Sequence, residues 1–324
     1  MVRLKGSLGK GFALLLVAVL AHTHVNAAQA SGPIRLIVPT PPASASDALA
    51  RSLTAPWAKE SGRSIVVENI AGAGTTIGVA RLVRAPNDGL TLGLISANHT
   101  INPSLYKNLP YDAIKDITPI MMIGSVPGML VANHSVRANS VSELASLSRT
   151  SEKPLAEGIV SGTAYHMASE VLKDQAGITT NRIPYKGSGQ VLNDLLGGTI
   201  DLAIVAAQAA APQVAAGKIK GLAVTTSART DVAPDIPTIV ESGLSDYRVD
   251  VWVAIVGPAG MSQESVLARR AEIERALLAP EMQAVFKQQG IQPISMKQTD
   301  MIPFLEDELR RNREVIQRVG ISVD

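Results

Sequence analysis

The chain contains no cysteine among its 324 residues. Disulfide scaffolds, thiolate metal sites, iron–sulfur clusters and cysteine nucleophiles are therefore excluded together. Aromatic residues make up 3% of it. That is too few for carbohydrate-stacking grooves or single-strand nucleic-acid platforms, which need exposed rings. A strong charge of either sign is also missing. The formal net charge is +2, and Arg3, Lys5 and Lys10 lie in the first 30 residues, which hold no acid. Beyond them, 27 basic residues stand against 28 acidic ones. Nucleic-acid binding driven by bulk charge has no support.

Catalytic patterns are equally scarce. His99, His134 and His166 are the histidines beyond the first 30 residues, and none sits in an HxxxH or HExxH arrangement. Each is read as a structural or surface residue. Gly158-Ile159-Val160-Ser161-Gly162 places its serine one position too late for a GxSxG elbow. No GxxxxGK[ST] loop occurs, since Lys186-Gly187-Ser188 lacks the first glycine. The run from Gly72 to Gly78 spells G-x-G-x-x-x-G, follows the second strand-like segment, and meets Asp88 too early for a ribose-binding acid. No catalytic residue, metal site or cofactor is assigned.

What is present is a core. Hydrophobic residues reach 46% and charged residues 18%, enough apolar surface for two domains or one large one. At the N-terminus three basic residues precede an unbroken apolar run of ten, 12–21 (FALLLVAVLA), and Ala28-Gln29-Ala30 fits an A-x-A cleavage pattern. This reads as a secretory signal peptide over 1–30, too short to anchor in a bilayer. The expected location of the mature chain is the periplasm.

After it, strand-like and helix-like segments alternate. Runs at 34–38, 65–68 and 91–95 are separated by helix patterns at 47–59 and 76–83. The rhythm returns with strand-like Ile183, 202–205 and 222–225, separated by helices near 163–175, 188–196 and 209–216. Such alternation predicts parallel sheets with right-handed crossovers. Apolar runs 117–123 and 129–131 flank Val126-Pro127-Gly128, a candidate crossing between lobes. A further apolar strand at 249–256 follows the loop 241–246. The tail is helical: Ser262 caps a helix through about Leu278, Pro280 breaks it, and Thr299 or Asp300 caps a last helix ending at Gly320. In that helix Ile302, Leu305, Leu309, Ile316 and Val319 form one apolar face. Its charges, including the pairs Glu306–Arg310 and Asp307–Arg311, are read as a solvated face.

Three loop-to-helix junctions carry the functional signal. One runs from Val38 through Pro39, Thr40, Pro41, Pro42, Ala43, Ser44, Ala45 and Ser46 to Asp47. A second runs from Asn69 through Gly72, Ala73, Gly74 and Thr75 to Thr76. A third runs from Val160 through Ser161, Gly162, Thr163, Ala164 and Tyr165 to His166. A helix start leaves N–H groups without intrahelical partners and carries partial positive charge, so it attracts anions without Arg or Lys. Ligands of open α/β sheets sit beyond the carboxyl ends of the strands. Junctions in both blocks point to an anion clasped between two lobes. Tyr185-Lys186-Gly187 begins a further helix, Asn98 is read as capping the helix after 91–95, and Trp252 is read as core.

These motifs, in order, carry a resemblance. Val38-Pro39, Asp47, Asn69, Ala71-Gly72-Ala73-Gly74 and Pro86-Asn87-Asp88-Gly89 come first. Asn102-Pro103-Ser104-Leu105-Tyr106, Ser161-Gly162-Thr163, His166 and Glu170 follow. Pro184-Tyr185-Lys186-Gly187, Pro237-Thr238, Trp252 and Pro258-Ala259-Gly260 complete the series. Over residues 33–321 the chain resembles the Bug-type solute receptors, the substrate-binding components of tripartite tricarboxylate transport systems.

The resemblance implies a two-lobed, non-enzymatic Venus-flytrap fold, α/β, each lobe a mostly parallel sheet flanked by helices. It implies one lobe from 31–125 and 250–324 and a second from 126–249. It implies a monomer that closes over a small carboxylate and delivers it to multi-spanning membrane permease subunits; a flytrap sensor with no transport role is the alternative. By carry-over, ligand contacts come from Thr40, Pro41, Ala43, Ser44 and Ser46, with Asp47 from the same junction. Gly74, Thr75, Thr76 and Asn98 join them in the first lobe. Ser161, Gly162, Thr163, Tyr165, Tyr185, Lys186 and Gly187 serve in the second. This chain departs from the family where Ala43 and Ser44 replace two glycines and Thr40 replaces an aromatic. It departs again where Val205 stands in place of an acid and Ala254 in place of a glycine. The first pocket wall is expected to be more hindered and less permissive in backbone angle.

Overall fold

A computed structural model describes residues 1–2, 32–42, 44–249 and 251–321. The leader expected over 1–30 lies, but for its first two residues, outside the described residues, as does Ala43. In chain order, β1 (Ile34–Val38), α1 (Ala45–Ser61), β2 (Ile65–Asn69), α2 (Thr76–Val83), β3 (Thr91–Ser96), α3 (Asn98–Leu105) and β4 (Ile117–Ser125) come first. They are followed by β5 (Gly128–Ala132), α4 (Val141–Thr150), β6 (Leu155–Ile159), α5 (Ala164–Ala176), β7 (Thr180–Pro184), α6 (Ser188–Leu196), β8 (Leu202–Ala206), α7 (Ala207–Ala215) and β9 (Lys220–Val224). The chain ends with β10 (Trp252–Pro258), α8 (Gln263–Leu277), α9 (Pro280–Gln289), β11 (Gln292–Pro293) and α10 (Gln298–Val319).

Two mixed sheets result. One has the order β11-β4-β10-β3-β1-β2, the other β7-β6-β8-β5-β9. In the first, β1 lies parallel to both β2 and β3, while β10 runs antiparallel between β3 and β4. In the second, β6 lies parallel to β7 and β8, while β5 runs antiparallel between β8 and β9. The parallel strands are linked by helices, so central strands are covered on both faces. Their sequences are accordingly near-continuous apolar runs rather than alternating ones. Every residue of β10 is buried.

The antiparallel strands β5 and β10 are the ones entered from the other sheet. β4 passes to β5 through Val126 and Pro127, and β9 passes to β10 through residues 225–251. The two crossings are bonded to each other. Val126 N–H donates to the Val251 carbonyl (2.9 Å), Thr225 N–H to the Gly128 carbonyl (2.9 Å), and Gly128 N–H to Thr225 Oγ1 (3.0 Å).

Several expectations are corrected. A helix at 141–150 and a strand at 155–159 were not foreseen. The first is capped by Ser140, whose Oγ accepts the Glu143 N–H (3.1 Å). The second hides behind Glu157, a charged residue at the centre of a buried strand. Ser169 Oγ, Lys173 Nζ (2.7 Å) and Thr180 Oγ1 (2.6 Å) donate to its carboxylate. Pro280 does not simply end a helix; it opens α9, where its missing N–H costs nothing. Neither Thr299 nor Asp300 caps α10, which begins at Gln298 without a side-chain cap. Ala97, not Asn98, holds the N-cap position of α3.

The charges of α10 are not all solvated. The Asp307–Arg311 pair forms (3.1 Å), but Arg310 pairs with Asp307 (2.5 Å) and Glu314 (2.9 Å) instead of Glu306. Glu308 is buried, accepts the Nε1–H of the fully buried Trp252 (3.1 Å), and pairs with Arg311. Trp252 is thus core, as the sequence reading had it. Removing one partner of such a buried set leaves the others unsatisfied. Glu308→Ala is expected to lower stability by about 3 kcal/mol in urea unfolding, whereas Glu306→Ala stays within about 0.5 kcal/mol.

Candidate functional site

The strand order sets which loops are neighbours. Loops leaving β3, β1 and β2 lie side by side at one sheet edge, and those leaving β7, β6 and β8 at the other. Ile70 N–H donates to the Val38 carbonyl (3.0 Å) and Tyr185 N–H to the Ile159 carbonyl (2.8 Å), tying neighbouring loops together at their roots.

In the loop after β1, the hydroxyls of Thr40 and Ser44 share a hydrogen bond (2.7 Å), and Ser44 Oγ also accepts the Asp47 N–H (3.2 Å). Thr40 and Ser44, where the resemblance implies an aromatic and a glycine, are therefore bonded to each other. Asp47 is buried, and its carboxylate accepts from Arg51 Nε (3.0 Å) and Asn69 Nδ2 (3.0 Å). Asn69 Nδ2 also reaches the Thr40 carbonyl (3.2 Å). Asp47 thus braces the loop from behind. Pro41 is exposed, and Ser46 is partly exposed, its hydroxyl bonded to no described residue.

The loop after β2 is strained. Ala73 (φ 43°), Gly74 (φ 60°) and Thr75 (φ 88°) all occupy positive φ, which a β-branched residue rarely adopts. A side chain on Gly74 would stand 2.7 Å from the Tyr106 hydroxyl, so glycine is required there on two counts. Asn102, fully buried on α3, holds the turn: its Nδ2 donates to the Gly74 carbonyl (2.8 Å) and to Thr75 Oγ1 (3.2 Å). Thr76 is buried at the first turn of α2. Behind Asn102, His99 stacks on Tyr111 with centroids 5.8 Å apart. Burial pulls the His99 imidazole down to about 4 and pushes the Tyr111 phenol up to about 12.

In the loop after β6, Thr163 caps α5. Its hydroxyl donates to the Val160 carbonyl (2.8 Å) and accepts the His166 N–H (3.3 Å). Gly162 is buried, with φ 72°. Ser161 is exposed, and its hydroxyl bonds no described residue. Tyr165, in the first turn of α5, packs against the apolar cores beneath both sheets; burial raises its phenol well above the ordinary value. Asn98, at the start of α3, donates from Nδ2 to the Gly162 carbonyl (3.3 Å), so one residue from each sheet's loop set is in contact.

The Tyr185 hydroxyl donates to Asp194 (2.6 Å), which pushes the phenol up to about 12. Lys186 is exposed, and Gly187 precedes α6 without a side-chain cap. Asn69, Asn102 and His166 were not assigned to the site from sequence, although all three fall within the motif series quoted above. Gln208, in the first turn of α7, was also missed; its Oε1 is buried and unpaired among the described residues. No group of three or more His, Asp or Glu among the described residues could hold a metal ion.

The family model for the tripartite tricarboxylate transporter family receptor matches residues 49–321. BugT of Bordetella pertussis is 31% identical over 294 residues, covering 90% of each chain. The structure of the periplasmic binding protein BugD is 29% identical, with TM-score 0.77, over 90% of this chain and 99% of that one. An R. palustris protein solved with adipate is also 29% identical, with TM-score 0.79 and the same coverage. Two mixed α/β sheets joined by two crossings define the fold of a periplasmic binding protein. The chain belongs to the tripartite tricarboxylate transporter receptor family, the Bug-type receptors. It is a binding receptor and not an enzyme.

Beneath the α5 loop lies a buried ion cluster. Glu170 accepts from Lys173 (2.7 Å) and Arg182 (2.8 Å). Burial opposes its ionisation, but the neighbouring His166, the bond from Lys173 and the charges of Lys173 and Arg182 prevail, holding the carboxyl at about 2. A depressed folded-state value stabilises the fold above the ordinary 4.5 and loses that contribution as pH falls towards 2. Glu170→Gln is expected to lose on the order of 3 kcal/mol at neutral pH and to flatten the stability curve between those two values. Urea unfolding followed across acidic pH reads both effects.

Proposed function

We propose that this receptor captures a small carboxylate between its two lobes and delivers it to multi-spanning permease subunits of a tripartite tricarboxylate transporter. It does so in the periplasm, after export on the signal peptide over 1–30. The lobes are residues 31–125 with 250–324, and residues 126–249. One observation carries the reading: loops from both sheets present donors without intramolecular partners, and Asn98 meets Gly162 where the two sets come together. The donors are the hydroxyls of Ser46, Ser161 and Tyr165 and the N–H groups of the first two residues of α1 and α5, Ala45, Ser46, Ala164 and Tyr165, which have no partner among the described residues. None of them is a cation. Helix starts supply the positive end of a dipole where a carboxylate would rest, and closure excludes water that would weaken it. The related R. palustris structure with adipate supports a carboxylate as the guest.

The single hydrogen bond between the hydroxyls of Thr40 and Ser44 fixes both and uses only one of their two protons, so that wall offers a fixed polar surface. The guest therefore has a polar group near Thr40. Asp47, Thr163 and Tyr185 act by holding loops, while Ser46, Ser161 and Tyr165 touch the guest.

A thermal-shift screen of the purified protein against mono-, di- and tricarboxylates tests the class. A selective rise in Tm is expected, reaching about 2.7 kcal/mol of stabilisation at a hundredfold excess over Kd. Uniformly flat melts reject the reading. With the best carboxylate, Ser161→Ala should weaken binding about fivefold in calorimetric titration, the loss of roughly one hydrogen bond. The Tm of the free protein should not move, since that hydroxyl has no partner within the fold.

A further inference from the structure

His166 is buried in the first turn of α5 and points back at the loop that precedes its own helix. The Gly162 N–H donates to His166 Nδ1 at 3.2 Å. Nδ1 must then carry the lone pair, which puts the ring proton on Nε2. Nε2 stands 3.4 Å from Glu170 Oε1. Glu170 is in turn fixed by Lys173 and Arg182, and Lys173 by Glu157 (2.7 Å). The imidazole thus accepts a backbone amide on one side, while on the other its buried Nε2, with no hydrogen-bond partner among the described residues, faces the ion cluster across 3.4 Å.

That amide belongs to a residue with both backbone groups engaged. Gly162 gives its N–H to His166 and receives Asn98 Nδ2 on its carbonyl. Its φ of 72° lies in the region that glycine occupies freely; Thr163 closes the turn around it through the Val160 carbonyl, and the imidazole is what fixes the direction of the Gly162 N–H itself. Rotation about Gly162 would move the exposed Ser161 and withdraw the carbonyl from Asn98.

We propose that His166 is a positioning residue for ligand capture: through Gly162 it aims the Ser161 loop and sets the contact with Asn98, coupling the ion cluster of one lobe to the meeting point of the two. This deepens the carboxylate-receptor reading and rests on it.

Two substitutions separate positioning from packing. In His166→Asn, Oδ1 occupies the place of Nδ1 and keeps an acceptor for Gly162. In His166→Gln, the polar end lies near Nε2 and Glu170, so Gly162 loses its acceptor. Amide exchange at Gly162, read by NMR on the free protein, should stay slow in the Asn variant and quicken about tenfold or more in the Gln variant. Affinity should follow the same order. It is titrated with whichever of adipate, malate, citrate or benzoate most raises the wild-type Tm. The Asn variant should bind within about threefold of wild type, and the Gln variant at least about tenfold more weakly. Equal exchange rates in the two variants overturn the positioning role, as does wild-type affinity in the Gln variant. Failure of all four carboxylates to bind the wild-type protein rejects the receptor reading for them, and the exchange comparison then decides the role of His166 alone.

Discussion

The strand-to-helix loops of both sheets depend on buried polar side chains that bond to loop backbone from behind. Asp47 with Asn69, Asn102, and His166 each sit in or beneath a strand-to-helix junction and satisfy groups that would otherwise wander. Hydrogen bonds shielded from water are stronger than those at the surface, and breaking one leaves an unsatisfied group in a low dielectric. The loops are therefore irregular in shape but fixed in place.

The same constraint explains where strain is tolerated. Three consecutive positive φ values at Ala73, Gly74 and Thr75 oppose folding, and Asn102 offsets them with two bonds from one amide. Asn102 itself stands on α3, whose first residue, Asn98, reaches the other sheet's loop. One short helix thus shapes one loop and touches another. The loop after β1 follows the same logic: the hydroxyls of Thr40 and Ser44 close on each other and give it a defined form.

Much of the fold was legible in the sequence, because strands buried on both faces must be apolar and helices between them must carry a stripe. β1 and α2 fall where the periodicity puts them. β6 escaped because Glu157 interrupts its apolar run, and the partners that neutralise it, Ser169, Lys173 and Thr180, lie 12, 16 and 23 residues away. The junctions were legible from glycine and hydroxyl spacing. The division of labour within them was not. Asp47 reads as a ligand contact until its carboxylate is seen accepting from Arg51 and Asn69. His166 stands in no metal-ligand spacing and reads as a structural or surface residue; that it accepts the Gly162 N–H leaves no mark in a sequence pattern. The burial of Glu308 within a charged helix was hidden likewise, its partner Trp252 lying 56 residues earlier.

The paired crossings have a mechanical consequence. Two ribbons pass between the sheets, and hydrogen bonds at Val126–Val251 and Gly128–Thr225 stitch them edge to edge. A stitched pair resists sliding and splaying, since either would break the ladder, yet it flexes readily across its thin dimension. Any movement of one sheet against the other therefore has to bend this stitched pair, and it also has to break the Asn98–Gly162 contact between their loops.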